Sequence, residues 1–257
     1  MPNQGLAWDR EYKNPKLVTG KEGPQADTLR FLKFLKKVAS SATRREGGKE
    51  YTETQKYRIE GKNILDLGCG TGRNSNYLAE LGNKVIGIEI SKTALNVARV
   101  RADHGRLGHP VDYRLGDIGE PYDIPDNSID IILDVTSSNS LDEKGRSIYL
   151  EEMNRVLKKS GPSLAEAGSG GGYIFVRALC KDGNKNVKNL LKTSPGKEYD
   201  TYIIKEIGLT ERAFSKEDFI KMYGKYFKIL KLEKKTNYTT FNNRLYKRDY
   251  WLAYLKK

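Results

Sequence analysis

Short apolar runs alternate with amphipathic helical patterns from about residue 62 onward. Parallel strands that are buried on both faces appear as continuous apolar runs, and the helices between them show a helical period. The pattern predicts strands at 63–67, 84–88, 111–114, 129–133 and 173–178. Two later runs, at 227–232 and 250–255, predict a hairpin at the sheet edge. The fold class is therefore predicted to be α/β, with a doubly wound, mostly parallel seven-stranded sheet and a C-terminal antiparallel edge hairpin.

Helices are predicted on both faces of this sheet. The predicted ranges are 26–39, 72–82, 91–102, 143–159 and 216–226. Ser91 and Ser215 stand where helix-capping residues are expected, and Asp218 completes a possible capping box with Ser215. By contrast, 181–212 is polar, rich in lysine and without strong periodicity.

The whole chain, 1–257, is predicted to be one domain. Its parts are an N-terminal helical lid (1–60), a cofactor-binding core (61–178), a Gly/Ser-rich insertion (160–172), a substrate-side insertion (181–212) and a C-terminal helix with edge strands (213–257).

A glycine-rich turn, residues 66–72 (DLGCGTG), follows the first predicted strand. Glycines at 68, 70 and 72 permit a sharp turn and let a ligand approach the backbone, because a β-carbon there would occupy the ligand's volume. The spacing differs from the GxGxxG of dinucleotide binders. Asp66, just before the turn, suits a cationic ligand better than a phosphate.

The segments ILDLGCGTGRNSNYLAELG and VIGIEIS together resemble the first two motifs of class I S-adenosylmethionine-dependent methyltransferases. The resemblance continues as an ordered series over roughly 62–178. It implies S-adenosyl-L-methionine as the cofactor and in-line methyl transfer to an oxygen, nitrogen or sulfur nucleophile.

The resemblance also implies roles for individual residues. Glu89 would bind both ribose hydroxyls, Asp117 and Ile118 would contact the adenine, and Asp134 would lie beside the methionine moiety and the transferred methyl. The cofactor-binding residues expected in this way are Asp66, Gly68, Cys69, Gly70, Gly72, Asn74, Glu89, Ile90, Asp117, Ile118 and Asp134.

Methyl transfer from a sulfonium depends mainly on alignment of the reacting groups, so a dedicated base is optional. Asp134 is the first candidate for a base, and the alternative is a ligand or capping contact without proton transfer. No metal site is expected, since the two cysteines and two histidines match no metal-ligand spacing.

A small-molecule acceptor is the main hypothesis. Trp8 and Tyr12 (WDREY) resemble the N-terminal lid of methyltransferases related to thiopurine and tellurite-detoxifying enzymes. The segment DVTSSNS (134–140) lacks the Asp/Asn-Pro-Pro-aromatic signature of methyltransferases that act on exocyclic amines of nucleic-acid bases. The substrate-binding candidates are Trp8, Tyr12, Ser137, Asn139 and Arg177.

The distribution of charge leaves a second substrate class open. The net charge is +13, distributed as +5 over 1–60, −2 over 61–160 and +10 over 161–257. Together with interleaved Tyr, Lys and Arg in 238–254, this favours RNA or protein as the substrate. Because the excess is mostly lysine, scattered rather than clustered, a lysine-rich composition is the favoured explanation, and nucleic acid stays a possible partner only.

The remaining expectations concern location and assembly. No apolar stretch approaches the length of a membrane span, and the first residues lack a signal-peptide pattern. The sequence therefore predicts a cytoplasmic protein without a membrane partner, as a monomer or weak dimer.

Overall fold

The structure, a computed structural model, describes residues 4–15, 20–43, 59–103, 110–159, 171–241 and 244–257. The strands are β1 (Asn63–Leu67), β2 (Lys84–Glu89), β3 (Asp112–Leu115), β4 (Ile131–Val135), β5 (Tyr173–Leu179), β6 (Thr201–Ile204), β7 (Leu209–Arg212), β8 (Lys228–Phe241) and β9 (Arg244–Lys256). The helices are α1 (Gln4–Lys13), α2 (Ala26–Thr43), α3 (Arg73–Glu80), α4 (Lys92–Asp103), α5 (Glu143–Val156), α6 (Lys185–Thr193) and α7 (Lys216–Gly224), with a 3-10 turn at Ser138–Ser140.

Seven strands form one sheet in the order β3-β2-β1-β4-β5-β9-β8. Neighbouring strands from β3 to β5 are parallel, whereas β9 runs antiparallel to β5 and β8 antiparallel to β9. The predicted sheet and its edge hairpin are confirmed. Parallel strands bring their carboxyl ends to one edge of the sheet, which positions the loops that follow them.

Helices cover both faces of the sheet. One hydrophobic cluster contains Tyr149 of α5 and Phe219 of α7, together with strand residues such as Leu65. A second cluster contains Phe31 of α2, together with strand residues such as Phe175. Two separate clusters are what a central sheet with two helical layers produces. Within the described residues, no helix is both long and apolar enough to cross a membrane.

The final hairpin is longer than predicted. Strand β9 pairs with β5 only from Tyr250 to Lys256, while β8 and β9 pair with each other along nearly their whole length. Their outer part, beyond the pairing with β5, is polar, as in Thr236 and Asn237. An apolar run therefore identifies only the buried part of each strand.

The segment 181–212 forms regular elements despite its weak periodicity. It holds α6 and the β6–β7 hairpin, and its apolar side chains Val187, Tyr202, Ile204 and Leu209 are buried in the core. Only one side of these short elements packs, so single apolar residues stand among lysines and give a weak pattern. The predicted insertion at 160–172 and the charged stretch after Thr43 fall mostly outside the described residues.

Candidate functional site

A cavity of about 490 Å³ opens at the carboxyl ends of the parallel strands. Its walls come from α1, from the loops that follow β1, β2, β3 and β4, and from the start of α5. The lining residues are Gln4, Gly5, Trp8, Tyr12, Gly68, Glu89, Ile90, Gly116, Asp117, Ile118, Gly119, Glu120, Val135, Thr136, Ser137, Ser140, Leu141, Asp142, Lys144, Gly145 and Ile148. Its volume lies within the range of small-molecule sites, about 300–1,000 Å³.

The glycine turn is shaped by contacts within this chain. Gly68 has φ +68°, and a β-carbon there would lie 2.2 Å from the β-carbon of Ser137. Gly70 has φ +55°, and a β-carbon there would lie 2.6 Å from the Tyr12 hydroxyl. A ligand was expected in the space beside these glycines. In the structure, Ser137 of the loop after β4 and Tyr12 of α1 occupy it.

Glu89, at the end of β2, is a buried carboxylate at the cavity wall. Its Oε2 accepts a hydrogen bond from the amide of Gly70, and its Oε1 accepts one from the amide of Ser91, each at 2.9 Å. Burial raises the pKa of Glu89, while these amides oppose the rise. Both oxygens are thus held in fixed positions, and each keeps a further lone pair for a ligand hydroxyl.

The loop after β3 adds an apolar wall and an exposed carboxylate. Ile118 is buried and Ile90 is half-buried, and both line the cavity. Asp117 is exposed, and its Oδ1 accepts a hydrogen bond from the amide of Gly119 at 2.8 Å. Two isoleucines beside one acceptor suit a flat ring that carries a hydrogen-bond donor.

Helix α1 is fixed onto the start of α4. Asp9 accepts hydrogen bonds from the hydroxyl of Ser91 and the amide of Thr93, both at 2.9 Å. The Thr93 amide, followed by Lys13, holds the pKa of Asp9 well below its usual range. This contact keeps Trp8 and Tyr12 at the cavity, with their ring centroids 6.3 Å apart.

Asp134 is fully buried and does not line the cavity. Its Oδ1 accepts hydrogen bonds from the amide and hydroxyl of Ser137, and its Oδ2 accepts from the hydroxyl of Ser138 and, at 2.7 Å, from that of Tyr149. The carboxylate thus caps the turn that carries the cavity residue Ser137. Its tentative role as a base stays a prediction.

Asp66 is also buried beneath the glycine turn. Its Oδ2 accepts a hydrogen bond from the hydroxyl of Ser75 at 2.6 Å, and burial raises its pKa to about 7. Because a raised pKa means that burial disfavours the charged form, Asp66 is a carboxylate whose ionisation would be aided by a nearby positive charge.

The other predicted residues outside the cavity lining have partners within the chain. Asn74 Oδ1 accepts from the amide of Gln25, and Asn139 Oδ1 accepts from the amide of Leu179, each at 3.0 Å. Arg177 contacts Asp27 and the Tyr250 ring, Cys69 lies near Gly87, and Gly72 lies against Tyr113. Their roles in binding cofactor or substrate stay predictions.

The cavity also contains residues that the sequence did not single out. Thr136 has φ +67°, a left-handed conformation that costs a β-branched residue about 1–3 kcal/mol, and its amide donates to the carbonyl of Arg177 at 2.8 Å. Nothing in the sequence marks a strained threonine. Gly116 and Gly119 flank Asp117 and Ile118 in sequence, and these two glycines could have indicated a second turn at the cavity.

The fold, the glycine turn and the acidic residues at the strand ends are similar to those of class I S-adenosylmethionine-dependent methyltransferases. Residues 64–161 match the family model described as "Methyltransferase domain". This segment runs from β1 through α5 and so includes the cavity residues that follow the parallel strands.

Relatives and solved structures agree with this class. The chain is 33% identical over 121 residues to a ubiquinone biosynthesis O-methyltransferase of Mesorhizobium japonicum, an alignment that covers 42% of this chain and 48% of that protein. The chain thus spans about half the length of the curated relatives it matches. A SAM-dependent methyltransferase structure from Methanosarcina mazei is similar over 82% of this chain and 99% of its own, with a TM-score of 0.64 and 22% identity. Another, from Anabaena variabilis, is similar over 100% of this chain and 96% of its own, with a TM-score of 0.58 and 19% identity.

Proposed function

We propose that the protein transfers a methyl group from S-adenosylmethionine to a small-molecule acceptor. The observation that carries this proposal is one cavity in which Glu89 and Asp117, at the strand ends, meet Gln4 and Trp8 of α1. The first pair suits a nucleoside, and the second pair borders space for an acceptor.

The residues on the strand side fit the cofactor. Glu89 would accept hydrogen bonds from ribose hydroxyls, Asp117 would accept from an amino group, and Ile90 and Ile118 would flank the ring between them. When bound, S-adenosylmethionine supplies an electrophilic methyl group on a positively charged sulfur. That positive charge would favour ionisation of the buried Asp66 carboxyl beneath the turn, whose pKa burial raises to about 7.

The residues on the lid side support transfer by alignment. Trp8 of α1, together with Thr136 and Ser137 after β4, would orient an acceptor and exclude water from it. The hydroxyl and amide groups in these segments can hold an acceptor without removing a proton from it. An acceptor that is already nucleophilic therefore needs no base from this chain.

A small acceptor also agrees with the charges. Lys144 is the single basic residue that lines the cavity in the described part of the chain. Basic side chains from the C-terminal region form ion pairs elsewhere, such as Lys181 with Asp200 and Arg248 with Glu211. RNA or protein as the substrate has no comparable support, and the cytoplasmic location and the monomeric or weakly dimeric state stay predictions.

Calorimetric titration with S-adenosylhomocysteine tests the proposal. The wild type should bind it, and Glu89→Ala should weaken binding by about 1.5–3 kcal/mol through loss of hydrogen bonds to a charged group. Glu80→Ala, an equal deletion on the exposed end of α3, is the matched control and should bind as the wild type does. Because Glu89 also bonds two amides, denaturant unfolding of each variant must show a folded protein at the titration temperature. No binding by the wild type would refute the proposal, and unchanged affinity in Glu89→Ala would remove Glu89 from the site.

A further inference from the structure

Hydrogen-bond donors without partners among the described residues gather around the 3-10 turn at Ser138–Ser140. The Nδ2 of Asn139 and the hydroxyl of Ser140 are buried and have no hydrogen-bond partner there. Ser140 lines the cavity, and Asn139 is held in place because its Oδ1 accepts from the amide of Leu179. Buried polar groups are normally paired, so such a cluster indicates a missing partner.

Two arginines extend this cluster. Arg146 of α5 is 3% exposed, and its Nη2 donates to the carbonyl of Leu141 at 2.5 Å, while its Nε and Nη1 have no partner in the part of the chain that the structure describes. Arg212 is the last residue of β7 and is half-buried. Its Nε also has no hydrogen-bond partner among the described residues. Strand β7, which carries Arg212, packs against the 3-10 turn, and Arg146 is joined through the Leu141 carbonyl to the residue that follows this turn.

The two guanidinium groups lie beside the same aromatic ring. Their central carbons are 5.5 Å (Arg146) and 5.2 Å (Arg212) from the centroid of Phe214. Burial and the charge of Arg212 lower the pKa of Arg146 to about 10, so Arg146 is charged at neutral pH. Glu198 attracts Arg146 electrostatically, but its Oε1 accepts from the amide of Glu143 instead.

The unpartnered atoms share one chemistry. The arginine and asparagine nitrogens can only donate, and two positive charges lie close together without a bonded carboxylate from the described residues. A bound group that accepts several hydrogen bonds and carries negative charge would pair the free donors and reduce the repulsion between the two guanidinium groups. Of this cluster Ser140 lines the cavity, whereas Arg146 and Arg212 do not, so an acid group would have to extend past Ser140 to reach them.

We propose that the methyl acceptor is an acid, and that Arg146 and Arg212 bind its oxyanion group, a carboxylate or a phosphate. This inference rests on the proposed function and specifies its substrate class. The acid group would be held at the turn beside Ser140, with the nucleophile of the same molecule directed into the cavity.

Matched ligands test the inference. Benzoate, phenyl phosphate and the neutral benzamide are titrated into the protein by calorimetry in the presence of S-adenosylhomocysteine. One of the two anions should bind at least about tenfold more tightly than benzamide, as expected for hydrogen bonds between charged groups. The better anion identifies the acid group.

Variants then assign the preference to the arginines. Arg212→Gln and Arg146→Gln should each remove most of the anion preference without changing affinity for S-adenosylhomocysteine, and Arg212→Lys should keep part of it. Arg30→Gln, the same change on the exposed side of α2, is the control. If Arg146→Gln does not fold, the anion preference of Arg212→Gln alone tests the inference, because Arg212 is only half-buried.

Equal binding of anions and benzamide, or an anion preference that survives Arg212→Gln, would overturn the inference while leaving the cofactor site intact. Failure of S-adenosylhomocysteine to bind would instead refute the proposed function, and the inference with it.

Discussion

At the scale of single residues, Gly68 shows how one turn serves both packing and the site. Its φ of +68° and the 2.2 Å approach of Ser137 leave no room for a side chain. The hydroxyl of Ser137 also lies 2.6 Å from the carbonyl oxygen of Leu67. The absence of a β-carbon therefore lets the loop after β4 close onto the end of β1.

Gly68→Ala and Gly61→Ala separate backbone strain from overlap. Gly61 has nearly the same φ, +67°, but no atom of the described residues lies within 4 Å of its missing β-carbon. We expect Gly61→Ala to reduce the free energy of unfolding by about 1–2 kcal/mol, the cost of a left-handed alanine. Gly68→Ala should cost about 3 kcal/mol or more, because the overlap with Ser137 is added. Urea unfolding measures both, and equal losses would contradict the role given to Ser137.

At the scale of elements, α1 completes the cavity although it stands apart from the sheet. It is joined to α4 through Asp9, and it also packs against β7. The amphipathic pattern of a ten-residue helix is weak, so the sequence identified α1 through Trp8 and Tyr12 rather than through its apolar face.

Asp9→Ala should release α1 from α4. The amide of Thr93 and the hydroxyl of Ser91 would lose their acceptor, so backbone amides of residues 4–13 should exchange hydrogen faster, and affinity for S-adenosylhomocysteine should fall several-fold. Lys13→Ala is the control, since it removes only the exposed ion pair at 2.9 Å and keeps both bonds to α4. Hydrogen–deuterium exchange by mass spectrometry measures the effect. Unchanged exchange in Asp9→Ala would show that other contacts hold the helix.

At the scale of the whole molecule, the net charge of +13 has to be weighed against where the charges lie. Asp27, almost fully buried, lies within ion-pair distance of Arg30, Arg177 and Lys235, which come from α2, β5 and β8. Several cations of the basic C-terminal region thus have structural partners. Net charge alone says little about which surface binds a substrate.

We therefore expect no specific binding of RNA. Fluorescence anisotropy with a mixed single-stranded RNA pool should show only weak association that disappears at physiological salt. A tight complex whose affinity falls steeply with salt would indicate several phosphate contacts and favour the alternative substrate class. S-adenosylhomocysteine, added in parallel to the same preparation, shows that the protein tested is folded and able to bind its cofactor.

The sequence by itself determined the sheet and the positions of several residues in the cavity wall at the strand ends. Buried parallel strands need continuous apolar runs, and a tight turn after β1 needs glycines, so both leave marks in a local stretch of residues. For the same reason Glu89, Asp117 and Ile118 could be located from their positions after strands. The β6–β7 hairpin left no such mark, because its few buried residues stand singly among lysines.

Only the tertiary structure decided how the rest of the site is built. Asp134 and Ser137 are neighbours in sequence, yet one caps a buried turn and the other lines the cavity. Arg146 and Arg212 come from α5 and β7 and meet only because both elements pack around Phe214. Which side chains face a cavity depends on the packing of distant segments, and a local pattern carries no information about that.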